Sequence, residues 1–526
     1  MDDVSMLIGK KPLDVVGFLQ LNVHGHQNQV YFRPVYHFFM LATYAFFGNC
    51  PIGYNVFNIV LFYFACFSIY HLINALFKNF TLAFLTSILF CVHPINGVLV
   101  NQKICAGYSM LIITAALSLM KFMQAFEEVN NLPDFIASMR QAGRLNDLFL
   151  GGIYFGLALM CHEVAIMVPF LLICIFFILK NDNFLTALKK SSPALLLLYF
   201  YLIFRFHYFS LKHSVLDNIS FFKMSFFQYF ASYAKLVFWY ISKLFVPDGI
   251  VLAWETYVLP QHALMWIMSF LLMIAVLLFL VVRYWKRNIV TFSLVWLFIG
   301  FGIVLLACLS RPALGFVIQP HWLSLSSIGF FLMSAAFLVT LSKYVNGQIW
   351  ILIFILIVAL YGGISRKYND LWSSQKGYCR YWLTVSPSSF WPNFWLGHSY
   401  MVEGEYIKAK IHFNRNLTRG IHEEKIYGNL GIVEYELKNY DNSISYLKKA
   451  QVMSPNAAET YYYLGLNYVK KNQFEKAENY YLQAIKLDPY LLSSREELAR
   501  LYESQERDRE AHTVRQSIRA ISMMKL

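Results

Sequence analysis

The sequence predicts an all-α protein in two parts: a polytopic transmembrane helical domain, then an α-solenoid. Three observations carry this. Apolar residues make up 58% of the 526 positions and mean hydropathy is +0.47, beyond what one soluble domain shows. Ten stretches before residue 366 are apolar and long enough, or nearly so, to cross a hydrocarbon core of about 30 Å. A Leu-Gly pair then recurs at a constant step of 34 residues, at Leu396-Gly397, Leu430-Gly431 and Leu464-Gly465, with Pro387, Pro455 and Pro489 in the same phase. The expected divisions are an external or interfacial region over 1–50, a transmembrane domain over 51–366 and a repeat domain over 367–526.

The formal charge is +14, yet charges are sparse before residue 365 and the basic ones fall in short loops. That distribution fits membrane topology and not nucleic-acid binding. The eight cysteines lie mostly inside apolar segments with no CxxC pair, so they read as small buried residues and not as a metal site or disulfide framework. His24 and His26 read as part of a solvated loop. The first residues are polar, begin Met-Asp-Asp and do not resemble a cleavable signal peptide.

The spans are expected at 52–77, 80–99, 104–123, 148–161, 164–179, 192–209, 262–283, 289–309, 322–343 and 347–365. Stretches 34–48 and 225–247 are apolar but interrupted or short, and are expected to lie along the outer surface or to re-enter. Lys and Arg mark cytoplasmic loops. Arg283-Tyr284-Trp285-Lys286-Arg287 is the strongest such loop, with Lys180, Lys189, Lys190 and Lys343 in agreement. Alternating the spans from there places 1–50, 93–102, the region near 162, 205–262, 310–321 and the repeats on the outer side. His93, Glu163, Arg205, Arg311 and His321 then approach one membrane face, with Asp2, Asp3 and Arg33. Ionisable groups at that depth are costly and mark function. Glu163 lies between two apolar runs, with His162 or Arg205 as its expected partner.

In the C-terminal part, Leu464, Gly465, Tyr468, Phe474, Ala477, Tyr481, Ala484 and Pro489 spell the clearest repeat. This spacing resembles the tetratricopeptide repeat (TPR), in which small residues let two helices approach and Pro ends the second. Leu498, Ala499, Tyr502 and Ala511 begin a unit that turns polar, as a cap does, and residues 367–387 supply a leading helix. Asn429, Tyr435, Tyr462 and Lys470 are the candidate groove residues that would hold a protein or glycan partner. Asn416-Leu417-Thr418 fits an N-glycosylation sequon.

Taken together, Tyr31-Phe32-Arg33-Pro34, Phe47-Gly48 followed by Pro51, Tyr54, Asn55 and Asn58, His93-Pro94, His162-Glu163, Tyr201-Leu202-x-x-Arg205 and Ser327-Ile328-Gly329-Phe330 resemble the motif order of GT-C-type membrane glycosyltransferases with C-terminal TPRs, among them transmembrane-and-TPR O-mannosyltransferases and bacterial relatives. Pro320-His321 stands where that family has Glu-Arg, and Val98 where it has Glu. The resemblance implies a polyprenyl-phosphate-linked sugar as donor, with no further cofactor. It also implies an acidic pair after a first span. Asp2-Asp3 would be that pair, and the expectation is that the sequence starts one helix late or that this member lacks the helix.

The chemistry so implied needs cations for a leaving phosphate and a carboxylate to take the acceptor's proton. Arg205 is the first candidate for the phosphate, with Arg33, Arg311, His321, His93 and His162 behind it; Asp2, Asp3 and Glu163 are the candidate catalytic carboxylates. Two readings stay open: a glycosyltransferase in a bacterial inner membrane with periplasmic TPRs (an ER membrane with luminal TPRs in a eukaryote), or a non-catalytic membrane-anchored TPR scaffold for envelope-polysaccharide or secretion assembly. A transporter is disfavoured, because the sequence has no inverted repeat.

Overall fold

A computed structural model describes residues 33–48, 50–102, 105–126, 142–208, 226–251, 254–256, 260–283, 288–309, 316–387, 389–417 and 423–524. The chain divides into two compact units, Met1–Trp372 and Ser373–Leu526. The expected boundary at 366 falls inside helix Gly347–Trp372, whose backbone runs on without a break.

The first unit is built from apolar helices. Among the described residues, six are long and apolar enough to cross a membrane: Ile52–Phe77, Ala106–Ala125, Phe184–Arg205, Gln261–Phe279, Pro320–Leu341 and Gly347–Trp372. A seventh candidate, Phe80–Val92 with Pro94–Asn101, bends by 62° at His93, where Pro94 cannot continue the hydrogen-bond ladder. The other three expected spans differ for local reasons. Helix Ala142–Cys161 opens on Arg144 and Asp147, the latter bonded by Lys121 Nζ at 2.7 Å. Residues 163–179 form a 3₁₀ turn, a short α-helix and a π-helical turn in succession. Helix Ile289–Leu309 is formed, but its qualifying apolar part is the shorter Ile289–Ile303. The apolar stretches near 34–48 and 225–247 are helices Pro34–Phe47 and Phe226–Phe245.

Small residues set the closest approaches. A Cβ at Gly300 would stand 1.6 Å from Ser326 Oγ, and one at Gly329 would stand 2.4 Å from the Ser293 carbonyl oxygen. Helices Ile289–Leu309 and Ser324–Leu341 therefore pack backbone against backbone, and Trp296 Nε1 donates to the Leu325 carbonyl at 3.0 Å. Gly151 sits under the ring of Phe122 in the same way, drawing Ala142–Cys161 against Ala106–Ala125. Two three-residue strands, Trp254–Thr256 and Phe316–Ile318, pair antiparallel with Glu255 opposite Val317.

The second unit is a leading helix, Gln375–Val385, and four helix pairs: Phe390–Val402 with Tyr406–Leu417, Glu423–Glu436 with Tyr440–Met453, Ala458–Lys470 with Phe474–Leu487, and Leu492–Ser504 with Asp508–Met524. Its period is written twice more in the backbone and the core. The turn inside each pair carries one residue of positive φ, Gly404, Lys438, Asn472 and Glu506, again 34 residues apart. The glycine of each Leu-Gly faces the same position of the second helix: a Cβ would meet Phe413 at 2.7 Å, Leu447 at 2.5 Å and Tyr481 at 2.5 Å. In the fourth pair Ala499 replaces the glycine and the facing position is Arg515, which turns outward to Glu503. A polar residue therefore stands where Phe413, Leu447 and Tyr481 stand in the earlier pairs. Arg507 and Tyr502 of this pair both donate to Glu478 of the pair before. The hydrogen bond from Arg507 holds the Glu478 carboxyl below its ordinary range.

Two sequence readings are corrected here. Phe474, read as a core residue, is 36% exposed because it opens its helix at the outer end of the turn. Asn416, read as a sequon asparagine, is fully buried and its Nδ2 donates to the Phe390 carbonyl at 3.0 Å, so the folded unit offers no amide for a glycan.

The close approach at Gly465 generates a direct expectation. Gly465→Leu forces a branched side chain into the Tyr481 ring and lowers the stability of the repeat unit by roughly 1–3 kcal/mol. Limited proteolysis of detergent-solubilised protein should then degrade residues after 373 and leave the N-terminal unit whole. Wild-type resistance of the C-terminal unit would contradict this packing.

Candidate functional site

The break between helix Ala142–Cys161 and the segment after it presents the polar residues. His162 caps the following 3₁₀ turn, its Nδ1 accepting from the Val164 N–H at 3.2 Å. That turn aims Glu163 into the unit. Arg33 stands just before helix Pro34–Phe47, where Pro34 fixes the first helical residue. Arg205 lies near the end of helix Phe184–Tyr208, one turn after Tyr201.

These three elements meet at one carboxylate. Arg33 Nε and Nη2 donate to Glu163 Oε2 at 2.9 and 2.7 Å. Arg205 Nη1 and Nη2 donate to Oε1, both at 3.2 Å. Arg205 Nη1 also donates to the Tyr201 hydroxyl at 3.0 Å, and that hydroxyl reaches the Leu159 carbonyl at 3.5 Å. A carboxylate offers about four lone-pair sites, and four guanidinium N–H groups already fill them. Glu163, expected among the catalytic carboxylates, is therefore the anchor of two cations and not a free proton acceptor. Its side chain and those of Arg33 and Arg205 are each no more than 20% exposed.

Beside this network lies a ring cluster. Tyr108 stands between His162 and His321, with ring centroids 4.1 and 4.8 Å away. Both imidazoles are buried, and neither His162 Nε2 nor His321 Nδ1 has a hydrogen-bond partner among the described residues. Gly107 lets the backbone come this close: a Cβ there would lie 3.1 Å from the Tyr36 ring and 3.5 Å from the Cys161 carbonyl oxygen.

The structure thus brings Arg33, His162, Glu163, Arg205 and His321 together. His93 takes a different role from the expected phosphate contact. Its Nδ1 accepts from the Ile95 N–H at 3.3 Å and its Nε2 donates to the Leu244 carbonyl at 3.1 Å. Its ring packs against Phe331 and Tyr361. With both nitrogens engaged and the residue 1% exposed, His93 ends one helix and ties it to another. Asp2, Asp3 and Arg311 lie outside the described residues. Tyr108 was not among the candidates; its signal was one tyrosine between Gly107 and Ser109 at the start of an otherwise apolar helix.

In the second unit, Tyr435 and Tyr462 share a surface with Tyr463, whose ring lies 6.0 and 5.1 Å from theirs. Asn429 donates back to the Lys425 carbonyl at 2.8 Å, and Lys470 is exposed at the end of its helix.

Residues 422–489 match the family described as tetratricopeptide repeat. No curated protein matches the chain. Among solved structures, MamA from Desulfovibrio magneticus RS-1 is 22% identical, covering 32% of this chain and 95% of that one, with a TM-score of 0.28. YrrB, described as a TPR protein with an unusual peptide-binding site, is 19% identical over 31% of this chain and 82% of its own, with a TM-score of 0.25. The Cut9-Hcn1 hetero-tetramer of the APC/C is 15% identical over 81% and 93%, with a TM-score of 0.26.

Proposed function

We propose that this protein is a membrane glycosyltransferase that moves a sugar from a polyprenyl-phosphate donor to a protein or glycan acceptor held by its repeats. The C-terminal unit is a TPR-type helical repeat, an architecture suited to protein interaction. The observation that carries the rest is the convergence of Arg33 and Arg205 on Glu163 inside an apolar helical unit. Among the described residues two guanidinium groups face this one carboxylate, and their planar forks match phosphate oxygens. In this reading the donor phosphate takes N–H groups that Glu163 holds in its absence. Glu163 keeps the two like charges in place between turnovers.

The acceptor hydroxyl attacks the anomeric carbon. A bond from its oxygen to that carbon forms, the bond from carbon to phosphate oxygen breaks, and the departing anion stays with the arginines. The proton goes to a carboxylate, for which Asp2 or Asp3 is the remaining candidate. Attack opposite the phosphate inverts the anomeric centre. The apolar helices would lie in a bacterial inner membrane with the repeats on the outer side. The alternative, a non-catalytic membrane-anchored TPR scaffold, is favoured by one feature: Arg33 and Arg205 already fill the acceptor sites of Glu163.

Transfer of radiolabelled sugar from lipid donor in membranes separates these readings. Arg205→Ala should lower transfer by two orders of magnitude or more, on the order of losing one preorganised charge contact. Arg205→Lys should restore part of it, because charge returns without the fork. Full activity in Arg205→Ala and in an Asp2→Asn, Asp3→Asn double variant would leave the scaffold reading. Orientation is tested by cysteines placed at Ser445 and Asn288. An impermeant reagent applied to whole cells should label the first and not the second; labelling of both would overturn the topology.

A further inference from the structure

Cations from two helices gather around one tyrosine at the start of the second unit. Tyr400 lies near the end of helix Phe390–Val402. Lys376, on the leading helix Gln375–Val385, holds its Nζ 4.4 Å from the Tyr400 ring centroid, and Lys408, on Tyr406–Leu417, holds its own at 5.5 Å. Arg380 Nη2 donates to the Tyr400 hydroxyl at 3.1 Å. The turn between the paired helices adds two carboxylates: Lys376 pairs with Glu403 and Lys408 with Glu405. Among the described residues, two of the three cations thus have an acid, while Arg380 bonds a phenol.

Uncovered apolar side chains stand beside this cluster. Val402, next to Glu403 in the chain, is 73% exposed, and Ile407, next to Lys408, is 69% exposed; Ile411 follows one turn on and is exposed too. The repeat stack does not use them, since helix Tyr406–Leu417 packs inward through Ala409 and Phe413. The charge of the unit is also concentrated here. Residues 375–417 carry five Lys or Arg against two Glu, while residues 423–524 carry fourteen against fifteen Asp or Glu. This part of the unit follows directly on the last apolar helix. Ser373 and Ser374 alone separate helix Gly347–Trp372 from Gln375–Val385, and the four steps from Trp372 to Lys376 span at most about 14 Å. Arg366 and Lys367 are exposed in the last two turns of Gly347–Trp372.

We propose that this face of the first helix pair docks on an anionic phospholipid surface. Val402 and Ile407 enter among the headgroups, and Lys376, Arg380 and Lys408 donate to lipid phosphate oxygens. Apolar area and attraction to anionic lipid add together in such surfaces. The donors suffice for both partners, because an ammonium has three N–H groups and a guanidinium five, more than two glutamates take up. A soluble anion would satisfy the cations and leave Val402 and Ile407 in water, whereas a lipid surface covers both. The short connection from the last apolar helix keeps this face within reach of a bilayer. The proposal rests on helix Gly347–Trp372 being a membrane span; sugar transfer plays no part in it.

The test places a bimane fluorophore on Val402→Cys in the full chain, reconstituted into nanodiscs that contain a lipid with a spin-labelled headgroup as quencher. The unsubstituted chain, labelled alike, gives the background from native thiols. Val452→Cys, at a position 81% exposed in the second helix pair, is the reference. In phosphatidylcholine mixed with phosphatidylglycerol, quenching at Val402→Cys should exceed that at Val452→Cys by about twofold or more. The excess should shrink in phosphatidylcholine alone, in Lys376→Gln with Lys408→Gln, and at about 1 M salt, where the Debye length is about 3 Å. The salt and lipid arms use the chain with both lysines in place, so they do not depend on how that variant folds. No excess in the anionic nanodiscs, or an excess that lipid charge and salt leave unchanged, would overturn the proposal.

Discussion

Three stretches of the N-terminal unit that are far apart in sequence end on the carboxylate of Glu163. A lone carboxylate among apolar helices would carry a desolvation cost of several kcal/mol, and so would each guanidinium. Paired through four N–H bonds, the groups compensate one another. The pairing fixes more than charge. It places the start of helix Pro34–Phe47, the break after Cys161 and the end of helix Phe184–Tyr208 at one point. The Tyr108 cluster lies beside that point because His162 is the residue next to Glu163 in the chain. Removing either arginine takes two N–H bonds from the carboxylate, and removing Glu163 takes the shared acceptor from both arginines.

The repeat unit is organised by sterics and not by charge. A residue with no side chain must face a large one on the paired helix, and a left-handed residue must close the turn between them. Both constraints recur at the same period, which is why the pairs are alike while their surfaces differ.

The parts legible in the sequence are those with a local cause. The period of 34 and the Leu-Gly pairs announced the helix pairs, and the apolar runs announced most helices of the first unit. The span boundaries were less legible, because Pro94 and the 3₁₀ and π turns over 163–179 interrupt runs that composition alone makes continuous. Glu163 was legible as a charge needing a partner, and Arg205 as a candidate for it. The direct bond from Arg33 was not, since 130 residues separate the two and no spacing rule connects them. His93 misled because a histidine before proline reads the same whether it meets a ligand or ties two helices together. Tyr108 was hidden among aromatic residues that only its neighbours distinguish.

The most direct measurement is a double-mutant cycle between Arg33 and Glu163, using Arg33→Ala, Glu163→Ala and the pair, with unfolding of the full chain followed in mixed micelles. Both side chains are only 20% exposed, and each single change removes both N–H bonds between them. The account predicts a coupling of about 2 kcal/mol or more, the double variant losing much less stability than the two single losses added together. Additivity to within about 0.5 kcal/mol would mean that the carboxylate does not hold the arginine, and the central claim would fall.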